Sequence, residues 1–168
     1  RLRVAVVGGV VKYLRNGTVF YTSTQTPTYP LLVDTWLYYL GATLNNVVIA
    51  AAGGAPPPPP PPPSGREPVV WTALVGVSAS GNSLTKTSGS GINSGAVSTQ
   101  QIASGDGYVE LTASETNTYR MFGLSNGNTD ASYQDIDFGL DLAPGTTYVF
   151  EKGVNKGSFG PYATGDVF

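Results

Sequence analysis

Asp135-Ile136-Asp137-Phe138-Gly139-Leu140-Asp141-Leu142 alternates between polar and apolar side chains without a break. A period of two marks a half-buried strand, because successive side chains leave opposite faces of the backbone. The pattern predicts a solvated face carrying Asp135, Asp137 and Asp141, and a core face carrying Ile136, Phe138, Leu140 and Leu142. The same period continues on both sides. Thr147-Tyr148-Val149-Phe150-Glu151-Lys152 reads as a strand, followed by the turn-like Gly153-Val154-Asn155-Lys156-Gly157. Upstream, Gly107-Tyr108-Val109-Glu110-Leu111-Thr112-Ala113 alternates as well. Near the start, Val10-Val11-Lys12-Tyr13-Leu14 leads through Arg15-Asn16-Gly17 into Thr18-Val19-Phe20-Tyr21-Thr22. Asn-Gly between two such runs predicts a hairpin, since both turn residues tolerate positive φ. No helical period persists beyond two turns. The expected class is therefore all-β, an antiparallel sandwich of short strands.

Composition narrows the chemistry. The chain has 168 residues, of which only 12% are charged, and a net charge of −2. It offers no basic excess to neutralise a phosphate backbone, so nucleic acid is not an expected partner. It contains no Cys and no His. Thiolate nucleophiles, Ser-His-Asp triads and His- or Cys-ligated metal centres are excluded, and no metal or cofactor is expected. No run reaches the roughly 20 apolar residues of a membrane-spanning helix, so membrane insertion is not expected. A surface rich in Ser, Thr, Gly and Tyr suits an extracellular or cell-surface protein.

Eight consecutive prolines, Pro56 to Pro63, interrupt the β pattern, flanked by Gly53-Gly54 and by Ser64-Gly65. Proline has no N–H to give to a ladder and is expected here as a polyproline II spacer of about 25 Å. It divides the chain into residues 1–52, a linker at 53–65 and residues 66–168. Placed end to end, Gly165-Asp166-Val167-Phe168 and Arg1-Leu2-Arg3-Val4-Ala5-Val6 keep one alternation across the junction. The expectation is that 66–168 and 1–52 are the N-terminal and C-terminal parts of one sandwich module. Residues 1–52 would then complete a copy of 66–168, in a tandem repeat or in a neighbouring subunit.

Read in that permuted order, the chain resembles the lectin-like β-sandwich modules of concanavalin A-like or SPRY-like type found in large bacterial surface and secreted proteins. The segments that carry the resemblance begin with Val70-Trp71-Thr72, Gly81-Asn82-Ser83-Leu84-Thr85-Lys86-Thr87 and Ser104-Gly105-Asp106-Gly107-Tyr108-Val109-Glu110. Thr118-Tyr119-Arg120-Met121-Phe122-Gly123-Leu124-Ser125 and Tyr133-Gln134-Asp135-Ile136-Asp137-Phe138 continue it. Tyr162-Ala163-Thr164-Gly165-Asp166-Val167, Lys12-Tyr13 with Asn16-Gly17, and Pro30-Leu31-Leu32-Val33-Asp34-Thr35 complete it. It implies a jelly-roll sandwich and a tandem or head-to-tail arrangement, and says more about fold than about activity.

Candidate site residues are few. Trp36, Tyr38 and Tyr39 cluster, with Tyr29 nearby and Tyr133 and Tyr162 in loop-like sequence. Aromatic rings stack on pyranose faces while carboxylates and amides read hydroxyls, which makes Trp36, Tyr39, Asp34 and Asn46 candidate carbohydrate contacts, with Asn45 beside them. Against this, half the aromatics of an alternating strand must point into the core. Asp135, Asp137 and Asp141 are the only acidic row that could serve a Ca²⁺ ion or a hydrolytic pair; a solvated strand face explains them more simply. Asn16-Gly17-Thr18 is a glycosylation sequon at the predicted hairpin tip. The expected function is non-enzymatic: a structural repeat or subunit of an extracellular filament or long cell-surface protein, with copies of itself as partners. The alternative is a lectin-like adhesion module binding polysaccharide.

Overall fold

The computed structural model describes residues 1–51, 65–91 and 93–166. The proline run with Gly53-Gly54 and Ser64, and the Val167-Phe168 end of the expected junction strand, lie outside the described residues. The N-terminal part contributes β1 (Leu2–Val7), β2 (Val10–Arg15), β3 (Thr18–Thr22), β4 (Leu31–Leu37) and β5 (Thr43–Ala51). After the proline run come β6 (Glu67–Pro68), β7 (Trp71–Val75), β8 (Val77–Ser80), β9 (Ser83–Lys86) and β10 (Gly95–Ile102). The last five are β11 (Gly107–Thr112), β12 (Arg120–Ser125), β13 (Phe138–Ala143), β14 (Thr146–Glu151) and β15 (Val154–Ser158). Among the described residues there is no helix.

The strands form two antiparallel sheets. The first runs β3-β2-β1-β11-β5-β9-β8, with β6 paired to the far end of β5; the second runs β15-β14-β13-β12-β4-β10-β7. Strands from the two sides of the proline run alternate in space. β11 lies between β1 and β5, with Glu110 opposite both Arg3 and Val48. β4 lies between β12 and β10, with Asp34 opposite Gly123 and Val97. The division expected at the prolines is a division of sequence, and within this chain both parts share one pair of sheets.

The inner faces supply the core. Leu2, Val4, Val6, Val11, Ile49, Val109 and Leu111 come from the first sheet, and Leu31, Val33, Phe122, Leu124, Phe138, Leu140 and Val149 from the second. At roughly 1.5–3 kcal/mol for each large apolar side chain removed from water, this layer is the main stabilising term. The predicted hairpin forms between β2 and β3, where Asn16 (φ 55°) and Gly17 (φ 77°) take the paired left-handed conformations of a two-residue turn. Gly123 is required for another reason. A Cβ there would stand 2.0 Å from the Phe138 carbonyl oxygen, inside the β12–β13 ladder.

Two expectations about local structure fail. The strand predicted from Asp135 begins only at Phe138. Asp135 and Asp137 instead fasten the preceding loop: Asp135 accepts the Thr129 N–H at 2.8 Å, and Asp137 accepts the Asn126 N–H at 2.8 Å. Ile136 consequently leaves the main core and packs on the other side of the second sheet with Trp36 and Met121. The turn predicted over 153–157 is a strand, because the reversal occurs one step earlier, at Lys152 (φ 50°) and Gly153 (φ 75°).

Candidate functional site

Alternation along β4 decides which side chains face away from the core. Leu31, Val33 and Leu37 enter it, so Asp34 and Trp36 leave by the opposite face. The ladders then carry a row across the second sheet: Trp36 stands opposite Met121, Met121 opposite Asp141, and Asp141 opposite Tyr148. Over this row the aromatic rings form a continuous chain. Tyr119 and Tyr39 lie 5.8 Å apart by ring centroids, Tyr39 and Tyr38 5.0 Å, and Tyr38 and Trp36 5.7 Å. Tyr133 continues it 5.5 Å from Trp36, and Phe150 lies 5.6 Å from Tyr133. These are the separations and tilted or edge-on geometries that aromatic quadrupoles favour.

The rings wall two adjoining cavities that share Trp36 and Tyr119. One, of about 280 Å³, is completed by Tyr38 and Tyr39. The other, of about 210 Å³, is completed by Met121, Tyr133, Asp141 and Phe150. Tyr39 and Tyr119 are the exposed lips, at 37% and 39% of their surface. Asp141 is the buried polar group of the second cavity. It is 6% exposed, and its Oδ1 has no hydrogen-bond partner in the protein. Burial pushes its carboxyl up from 3.8 to about 7, against the opposing pull of the Arg120 guanidinium.

Asp34 lies on the same face of the sheet but lines a separate cavity of about 200 Å³, with Gly95, Ala96, Asn128, Thr129 and Asp130. Burial raises its carboxyl from 3.8 to about 8, although the Ser125 hydroxyl and the Thr35 N–H favour its ionised form. Asp34 and Asp141 are separated by one intervening strand and by one pleat repeat, which places their Cα atoms about 12 Å apart. They open into different cavities.

The structure brings together Trp36 and Tyr39 of the sequence-derived contacts and sets Asp34 in the neighbouring cavity. Asn46 lies elsewhere, on β5 in the first sheet, where its N–H donates to the Ser83 hydroxyl. Asn45 donates to the Thr43 hydroxyl. Tyr29 donates to the Gly105 carbonyl at 2.6 Å, and Tyr162 sits in the core beside Arg120. Asn16 is exposed at its hairpin tip. The row of three aspartates does not exist as a surface: Asp141 is buried, and the other two belong to the loop before β13. Among the described residues no three acidic side chains gather as a metal-binding group.

Tyr119, Met121 and Phe150 are not among the sequence-derived contacts. Tyr119 carried a signal, since it directly precedes the strand-like Arg120-Met121-Phe122, where an exposed aromatic marks a strand entrance. Met121 and Phe150 become wall residues only through the β4–β12–β13–β14 ladders. The chain matches no protein-family model, no curated protein and no solved structure.

Proposed function

We propose that the protein is a non-enzymatic carbohydrate-binding module, a lectin-like sandwich of concanavalin A-like or SPRY-like type, that takes a sugar in the groove on the outer face of its second sheet. The observation that carries this reading is the chain of rings from Tyr119 to Phe150 around the orphaned Asp141 carboxyl. Pyranose rings present apolar C–H faces to aromatic walls and hydroxyls to a polar group, and a pocket needs few such groups when they are buried. Asp141, whose burial raises its carboxyl to about 7, can accept hydrogen bonds from sugar hydroxyls and, in its protonated form, donate one. Hydrolysis would need two facing carboxyls, and the groove gathers one. The architecture of two antiparallel sheets supports a lectin-type sandwich, and the low share of charged residues, 12%, supports an extracellular setting.

Binding to a panel of neutral polysaccharides by affinity electrophoresis tests the reading. Tyr119→Ala and Tyr39→Ala should each weaken retention about tenfold, the loss of one stacked ring. Failure of the native protein to bind any of the panel, or retention of both variants equal to that of the native protein, would overturn it. One observation favours assembly from copies as a second reading. β1, β4 and β5 take partners across the proline run, so the same ladders can close within a chain or between two. Light scattering distinguishes these by mass: multiples of 17.5 kDa support assembly, and a single such mass at all concentrations opposes it.

A further inference from the structure

The opposite side of the molecule carries an arrangement that neither the groove nor the fold requires. On the outer face of the first sheet, Glu110 is 1% exposed and is met by three guanidinium groups. Arg3 donates from Nε to Glu110 Oε2 at 3.0 Å and also pairs with it through Nη2. Arg66 Nη2 lies 3.0 Å from Oε1, and Arg1 Nε lies 3.4 Å from the same oxygen. One carboxylate balances one of these charges and leaves an excess of two. The three cationic side chains remain 31–43% exposed. The Arg3 guanidinium carbon lies over the Tyr108 ring, 3.9 Å from its centroid, a cation–π contact that helps to position it. Lys12 extends the row on β2, two residue pairs along from the Arg3–Leu14 pair. Asp130, Asp135 and Asp137 lie in the loop over the second sheet, whereas Glu67, Asp106 and Asp166 lie on the side of the first.

We propose that this face binds an acidic polysaccharide through the carboxylate groups of its sugars, with Arg3 and Arg66 as principal contacts and Arg1 and Lys12 beside them. Guanidinium groups match carboxylates in a bidentate manner, and one already positioned loses less entropy on binding; Glu110 takes the Nε–Nη2 edge of Arg3, so a ligand carboxylate would meet its Nη1–Nη2 edge. The cations come from β2 (Lys12), β1 (Arg3) and the residues just before β1 (Arg1) and β6 (Arg66), and a linear polyanion fits such a row better than a single small ion. Leu14, half-buried opposite Arg3, is apolar and suits the face of a sugar ring. The overall charge of −2 gives no general attraction, so binding depends on this cluster.

Isothermal titration with polygalacturonate at low salt tests the proposal, with neutral dextran as control. The native protein should bind the polyuronate and not dextran at this face. Arg66→Gln and Arg3→Gln should each weaken binding about tenfold. Arg66→Lys, which keeps the charge and loses the fork, should also weaken it. Lys152→Gln, on the other sheet, should leave it unchanged. Tyr39→Ala should leave it unchanged as well, so that failure of this site and failure of the aromatic groove are read separately. The proposal is overturned if polygalacturonate is not bound, if Arg66→Lys binds as well as the native protein, or if Lys152→Gln is as damaging as Arg66→Gln. It is also overturned if duplex DNA binds equally well, or if Arg66→Gln instead abolishes self-association, which would make the face a contact between copies.

Discussion

Asp141→Asn should leave the protein little changed at pH 4 and make it markedly more stable at pH 9. In the folded protein burial raises the Asp141 carboxyl from 3.8 to about 7, while in the unfolded chain it titrates near its ordinary value. Between these two values the folded state holds a proton that the unfolded state has released. Unfolding therefore becomes more favourable as pH rises. The loss begins near pH 4 and is complete above about pH 7, once the buried carboxyl is ionised in both states. Three pH units of separation correspond to about 4 kcal/mol at 1.36 kcal/mol per unit. That is a large share of the 5–15 kcal/mol by which a domain is stable. Asparagine has the same shape and carries no charge, so the variant should lack this component of the pH dependence. Urea denaturation of both proteins at half-unit steps from pH 4 to pH 9 measures it as a widening gap in midpoint. Parallel curves over the whole range would show that Asp141 ionises as freely folded as unfolded, and the argument from its burial would be wrong.

Two further substitutions address the frame. Gly123→Ala puts a methyl 2.0 Å from the Phe138 carbonyl oxygen, and since that atom is backbone the β12–β13 ladder must open; thermal unfolding by circular dichroism should show a large loss of midpoint or no folded signal. Phe138→Ala empties a fully buried site between the sheets and should cost about 3–5 kcal/mol in urea unfolding; a loss below 1 kcal/mol would mean that the two sheets are not packed through this side chain.

Local signals in the sequence were readable where the local chain decides the outcome. The Asn16-Gly17 turn is set by backbone preference alone, and the strands around Val109 and Val149 by simple alternation. Asp135 and Asp137 alternated just as well and still became loop, because each carboxylate found an N–H of the 126–129 segment to accept. A pattern of spacing cannot register that competition. The groove was half legible. Trp36 and Tyr39 are close in sequence and could be grouped, whereas Asp141 and Phe150 join them only through the order of strands in the second sheet. Asp34 was chosen for its nearness to Trp36 in sequence, yet alternation sends it to the same face one pleat repeat away, into another cavity. Asn46 was misplaced for a related reason: the chain crosses to the first sheet between Leu37 and Thr43. The arginine cluster gave no sequence signal at all, since Arg3 and Glu110 stand 107 positions apart.

The placing of β11 between β1 and β5 has a kinetic consequence. Neither neighbour is reached by a short turn, so β11 cannot nucleate its own sheet. The chain must first bring together segments roughly 60 residues apart for β5 and roughly 100 for β1, losing the entropy of closing those spans before the ladders return any stabilisation. Proteins dominated by such distant pairings have high contact order and reach their native state in milliseconds to seconds, not microseconds. In the interval, β1 and β5 present unpaired edges to solvent. The order in which those edges are covered governs whether a newly made chain completes itself or pairs with a neighbour.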